Sequence, residues 1–255
     1  MINQPVPLSL QGHSIVVTGA AQGIGEATAR LCAERGAAVT IADFKRDTGE
    51  KVAASIRDQG QQAEFVAVDV RGEDEVKALF ERVQERHGRL DGLVCAAGVL
   101  KGAFLQPEAF PTDMFDMVID INVKGVFLCS KYATPLLEAS GSGVMVVVAS
   151  GAGVIGGSSS LAYGASKGGA NGLGMTLQGH LAPRGIRVNV ICPGNIVTDM
   201  KLSVEVAQAQ RDGTPVEEAL ERARQNYGMP LGVARVIGFM LSEESDYLRG
   251  TLFTR

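Results

Sequence analysis

The chain has 255 residues, 45% of them hydrophobic and 20% charged, with a formal net charge of −4. That balance suits a globule with a sizeable core, and the lack of any run of Lys or Arg argues against a nucleic-acid partner. No apolar run exceeds strand length, so no membrane span is expected. The opening "MINQPVPLSLQGH" lacks the basic start and apolar stretch of a secretory signal, so the expected location is cytoplasmic. Cys32, Cys95, Cys129 and Cys192, with His13, His87 and His180, show no metal-knuckle spacing. They read as buried reduced thiols, and no metal is expected.

In chain order, "SIVVTG" (14–19) reads as a buried strand and "GIGEATARLCAERG" (23–36) as a helix. "AAVTIAD" (37–43) and "AEFVAVDV" (63–70) are further strands, followed by helices over 46–60 and 73–88, the latter with acidic residues at its start. "LDGLVCAAG" (90–98), "GVMVVVAS" (143–150) and "IRVNVIC" (186–192) are three more apolar strands. Continuously apolar strands alternating with amphipathic helices predict one α/β domain with a parallel sheet covered on both faces. The polar, helix-prone region from Asn195 to Leu231 reads as an excursion lying over a site. "AYGASKGGANGLG" (162–174) has five glycines in thirteen residues, a loop composition, yet Tyr163 and Lys167 stand at helical i, i+4 spacing.

"TGAAQGIG" (18–25) joins the first strand to the first helix. Gly19, Gly23 and Gly25 permit a tight turn and close ligand approach, and the helix start offers free N–H groups to a pyrophosphate. Asp43 follows about 20 residues on, at the end of the second strand, where a carboxylate accepts from both ribose hydroxyls and repels a 2′-phosphate. Gln22 adds no positive charge, and Lys45 and Arg46 are expected to face solvent. The expected cofactor is therefore NAD rather than NADP. Ile24 and Phe44 flank these positions and join the expected cofactor contacts.

The glycine turn, "VDV" (68–70), "IN" (121–122), Ser150, "YGASK" (163–167) and "PGNIVT" (193–198) occur in the order of the classical short-chain dehydrogenase/reductase family, which the chain resembles over nearly its whole length. The resemblance implies a doubly wound Rossmann domain with a mostly seven-stranded parallel sheet and NAD(P)-dependent oxidoreductase activity on a small alcohol or ketone. It implies Ser150, Tyr163 and Lys167 as the catalytic set, with Asn122 as a fourth member holding a water that links Lys167 to solvent. Asp69 and Val70 would border the adenine; Cys95 and Gly98 would sit beside the cofactor, and Pro193, Gly194, Ile196 and Thr198 beside the nicotinamide. It further implies a homo-oligomer, a tetramer before a dimer. A free phenol ionises near pH ~10, so the Lys167 charge one turn away is expected to lower the Tyr163 pKa.

Three features depart from the family pattern. Cys95-Ala96-Ala97-Gly98 replaces a usual Asn-rich segment, so a local loss of stability is expected there. The helix "VARVIGFMLSE" is expected to start at once after "MPLG" without an N-cap, and the chain stops at "GTLFTR". A loop after Gly232 and a tail after Arg255 are therefore expected to be missing. Ala152, Val154, Ile155, Leu100, Met200 and Leu202 suggest an uncharged or modestly polar secondary alcohol as substrate. A carrier-bound 3-oxoacyl reductase, an extended-fold epimerase and a non-enzymatic cofactor sensor are the alternatives. Gly164, Gly168 and Gly172 share one helix face, expected to admit a second helix, from another subunit.

Overall fold

The computed structural model describes residues 9–254. The expectations about residues 1–8 and about a continuation past Arg255 lie outside them. The chain alternates β1 (Ser14–Thr18), α1 (Gly23–Glu34), β2 (Ala38–Asp43), α2 (Arg46–Arg57), β3 (Ala63–Ala67), α3 (Glu73–His87) and β4 (Gly92–Cys95). There follow α4 (Thr112–Ile119), α5 (Gly125–Ser140), β5 (Val144–Val148), α6 (Leu161–Leu181), β6 (Arg187–Cys192), α7 (Asp199–Asp212), α8 (Val216–Asn226), α9 (Pro230–Leu241) and β7 (Gly250–Phe253). The strands form a seven-stranded sheet of order β3-β2-β1-β4-β5-β6-β7, parallel at every pairing.

Strand alternation explains why these strands are apolar throughout. Met145 and Val147 point into a core shared with Leu79, Phe80, Leu128 and Leu136 of α3 and α5. Val144, Val146 and Val148 point the other way, into a core shared with Ala29, Val52, Ile56 and Ile237. Both faces are dry, so neither tolerates polar alternation. The order reverses between β1 and β4, and this switch point opens the crevice in which open α/β sheets bind ligands.

The last helix starts earlier than expected: Pro230–Leu241 is one uninterrupted helix with Pro230 in its first turn. Proline suits the first helical position because its absent N–H has no intrahelical partner there, a start signal three residues before the predicted one. The seventh strand that the resemblance implies is β7, which the residue pattern does not locate, since "GTLF" is short and follows a region of mixed polarity.

The glycine-rich stretch is helical, as the Tyr163/Lys167 spacing predicts. Ser160 caps α6, its Oγ accepting the Tyr163 N–H at 3.2 Å while donating to the Lys101 carbonyl at 2.6 Å. The glycine face of α6 is covered by the chain's own loop after Ser150, not by another helix. A Cβ on Gly168 would lie 2.8 Å from the Gly153 carbonyl, and one on Gly153 would collide with the Gly164 carbonyl. Gly153 also has φ +80°, so the loop and helix meet backbone to backbone. Gly172 is exposed and meets nothing.

Candidate active site

One cavity of about 1340 Å³ runs across the carboxyl ends of β1, β2, β4, β5 and β6. One end is built by the turn between β1 and α1, where Gly19, Gln22, Gly23, Ile24 and Gly25 line the wall. Gly19 has φ +67°, and a Cβ there would lie 2.6 Å from the Ala97 backbone, so only glycine fits. No side chain caps the start of α1, which leaves its first-turn N–H groups to an anion. The buried Asp43 carboxylate accepts the Ala21 N–H at 3.0 Å with one oxygen and the Lys45 N–H at 2.9 Å with the other. Each oxygen keeps a lone pair for a further donor. These features fit an adenosine diphosphate portion of a dinucleotide.

Lys45 and Arg46 are exposed, as expected, and the Lys45 ammonium folds back onto Gln22 Oε1 at 2.6 Å. A flexible four-carbon stem reaches where a count of residues past the strand end could not show. Phe44, Asp69 and Val70 line the same end. Asp69 pairs with Arg71 at 2.6 Å, and that hydrogen bond holds its carboxyl below the usual range.

At the other end, Ser150, Tyr163 and Lys167 meet in the cavity with Gly98, Pro193, Gly194, Ile196 and Thr198. Ser150 stands two residues past the end of β5. Lys167 is buried; its ammonium donates to the Val148 carbonyl at 2.8 Å and lies 5.7 Å from the Tyr163 ring centre. Burial brings the Lys167 pKa down to about 8. Burial also raises the Tyr163 pKa, partly offset by a hydrogen bond with Ser150. The lowering expected from Lys167 is not seen: burial dominates, and Ser150 supplies the opposing effect.

Two expected site residues do not line the cavity. Cys95 ends β4 with its thiol turned into the core, where the neighbouring Cys129 thiol and burial push its pKa well up. Strand alternation decides this, and it makes Cys95 a floor residue rather than a cofactor contact. Asn122 sits beneath the cavity in a π-helical turn (Asp120–Lys124) between α4 and α5. Its side chain accepts the Val99 N–H at 2.8 Å and donates to the Val99 carbonyl and to Ser166 Oγ, both at 2.9 Å. Ser166 Oγ donates in turn to the Tyr163 carbonyl at 2.8 Å. The Asn122 amide thus clamps the strand β4 exit to α6 and has no donor left for a water. A Cβ on Gly98 would lie 3.3 Å from Asn122 Oδ1 and 3.4 Å from Lys167 Nζ, so the three meet there.

Sequence reasoning missed Ser160, whose place just before the helical pair is a cap signal, and Ser166 and the π turn, which carry none. It also misjudged the substrate side. Ala152, Leu100 and Met200 line the cavity, whereas Val154, Ile155 and Leu202 do not, and Ile155 is 72% exposed. Lys101, Phe104, Ser158, Ser159, Lys201 and Glu205 line it instead. Phe104 holds φ +66° and carries the Arg211 guanidinium 4.9 Å over its ring. Residues 195–231 form α7 and α8, and their two ends are pinned together where Val197 N–H donates to the Gly228 carbonyl at 2.8 Å. Among the described residues no cluster of three metal-ligating side chains forms, and no helix is long and apolar enough to cross a membrane.

A doubly wound sheet with a glycine turn at its switch point and a Ser/Tyr/Lys group across the same cleft defines a nicotinamide-dependent oxidoreductase. The chain belongs to the short chain dehydrogenase family, whose model matches residues 13–209. It is 40% identical to cis-4-hydroxycyclohexanecarboxylate dehydrogenase of Sinomonas cyclohexanicum, over 93% of this chain and 92% of that one. It is 33% identical to a 3-oxoacyl-[acyl-carrier-protein] reductase of Thermotoga maritima, over 95% and 96%. Its structure is similar to that of NAD+-bound xylitol dehydrogenase, with a TM-score of 0.87, 33% identity and coverage of 95% and 97%.

Proposed function

We propose that the protein is an NAD-dependent oxidoreductase that interconverts a secondary alcohol and its ketone. The observation that carries this reading is the convergence of Ser150, Tyr163 and Lys167 in one cleft with the glycine turn and Asp43. When bound, the nicotinamide takes up or releases the hydride. Tyr163 takes or returns the hydroxyl proton as acid/base. Ser150 holds the reacting oxygen, and Lys167 fixes Tyr163 and the cofactor ribose relative to each other. Pro193, Gly194, Ile196 and Thr198 border the nicotinamide, and residues 195–231 serve as a lid. Asn122 is a positioning residue that acts through Val99 and Ser166. Incubation with a panel of secondary alcohols and either NAD or NADP, followed by NADH or NADPH absorbance, tests the assignment; no turnover on any member removes it.

The preference for NAD rests on Asp43. Asp43→Ala removes a charged acceptor, and KM for NAD is expected to rise about 10- to 100-fold. An unchanged KM would mean that the ribose lies elsewhere. Lys45 on Gln22 is the one observation that favours NADP, and with it the carrier-bound 3-oxoacyl reductase reading. A higher kcat/KM with NADPH and a 3-oxoacyl thioester than with NAD and any free alcohol would establish that alternative.

Ser150→Ala has a signed pH consequence. Alcohol oxidation needs the Tyr163 phenolate, so the rate rises with pH through its pKa. The Ser150 hydrogen bond lowers that pKa, so its loss moves the rising limb to higher pH and cuts the neutral-pH rate by about 10²-fold. A kcat/KM profile across pH reads both effects; an unmoved limb contradicts the Ser150 role.

A further inference from the structure

The lid helix α7 turns a polar stripe toward the cleft. Lys201, Glu205 and Gln208, at i, i+4 and i+7, all line the cavity, which places them on one helix face. Glu205 is held from two sides. The Lys201 ammonium stands 2.8 Å from Glu205 Oε1, and the Tyr227 hydroxyl at the end of α8 donates to the same oxygen at 2.9 Å. Glu205 Oε2 accepts no hydrogen bond from any described residue.

This is not an ordinary surface ion pair. The Lys201 and Glu205 side chains are 28% and 18% exposed, against 62% and 66% for the i, i+4 pair Arg222–Glu218 on α8. Half-burying a charged pair costs desolvation, which a polar partner in the cleft would offset. Burial pushes the Glu205 carboxyl up, but the bonds from Lys201 and Tyr227 outweigh it and hold it below the usual range. Burial and the bond to Glu205 push the Tyr227 phenol up to about 12, so it stays a donor. The anchor is connected to the other end of the cleft. Thr198, at the nicotinamide end, caps α7 by accepting the Lys201 N–H at 3.3 Å.

We infer that Glu205, fixed by Lys201 and Tyr227, is a hydroxyl-binding subsite, and that the substrate is a polyhydroxylated secondary alcohol or its keto form. A fixed carboxylate with one free oxygen takes O–H donors. An apolar ring would leave that free oxygen desolvated and without a donor. Ser158 and Ser159, which line the same cavity, supply further polar partners. The inference deepens the oxidoreductase reading and rests on it, and it replaces the modestly polar substrate that the sequence suggests.

The test compares kcat/KM for xylitol, ribitol and sorbitol with kcat/KM for 2-butanol, in wild type and in Glu205→Ala. The best polyol is expected to exceed 2-butanol in wild type. Glu205→Ala is expected to lower the polyol/2-butanol ratio about 10- to 100-fold, through KM. Glu205→Gln, which keeps an acceptor, restores most of the ratio. Tyr227→Phe, which removes one neutral donor, gives a smaller fall of about 2- to 10-fold and keeps the proposal testable if the alanine variant does not fold. Wild type preferring 2-butanol to all three polyols, or a ratio unmoved by Glu205→Ala, overturns the inference while leaving the hydride-transfer reading intact. A second readout needs no turnover: in the presence of NADH, the best polyol should raise Tm in wild type more than in Glu205→Ala. If no alcohol is oxidised but that difference persists, the subsite stands and the proposed reaction falls.

Discussion

Tyr163→Phe is expected to lower kcat/KM by about 10²- to 10⁴-fold with the fold and NADH binding retained. The ring packs against Lys167 and keeps its place without the hydroxyl, so the loss falls on proton transfer alone. The phenol lies in a cleft where burial raises its pKa. Ser150, which hydrogen-bonds the phenol, is a far weaker acid and cannot replace it near neutral pH. Steady-state kinetics together with NADH fluorescence titration separate the two effects. A Phe variant with near-wild-type turnover would place the proton transfer on another group.

Lys167→Met is expected to cost activity and gain stability. The ammonium is buried with a carbonyl as its described acceptor, and its pKa falls from 10.5 to about 8. At neutral pH the folded protein therefore holds a charge that burial disfavours by on the order of 3 kcal/mol. Between about pH 8 and 10.5 the unfolded chain binds this proton and the folded chain has released it, so stability rises with pH across that window. Met keeps the stem and removes the charge, so Tm at pH 7 should rise and the increase above pH 8 should flatten. Turnover should fall by about 10²-fold or more, because Tyr163 loses its orienting cation. Thermal melts at pH 7 and pH 9.5, with kinetics on the same preparations, check both halves. A lower Tm at pH 7 would mean that the bond to Val148 outweighs the burial cost.

Much of the glycine-turn end of the cleft was legible because it depends on local chemistry. The turn needs glycine at Gly19, where φ is positive and the Ala97 backbone is close. Asp43 follows from strand length, and the Tyr163/Lys167 pair from helical spacing. The substrate end was not legible. Val154 and Ile155 were expected to line the pocket because they follow Ser150, yet Gly153 folds the loop back onto α6 and leaves Ile155 in solvent. Lys201 and Glu205 looked like lid surface because their partner, Tyr227, is more than 20 residues away in the chain. The same holds for Asn122, whose partners Val99 and Ser166 come from two other elements.

The sequence by itself determined the alternation of strands and helices, the glycine turn, and the register of Tyr163 on Lys167. Each of these is set by neighbours within about one turn or one strand, where backbone sterics and side-chain period act directly. The tertiary structure alone decided which side chains share the cleft at its substrate end. It turned Cys95 inward, tied Asn122 to Val99, and set Glu205 between Lys201 and Tyr227 facing the site. Contacts between distant elements depend on how helices seat on the sheet, and that seating is fixed by packing of the whole core rather than by any short stretch of residues.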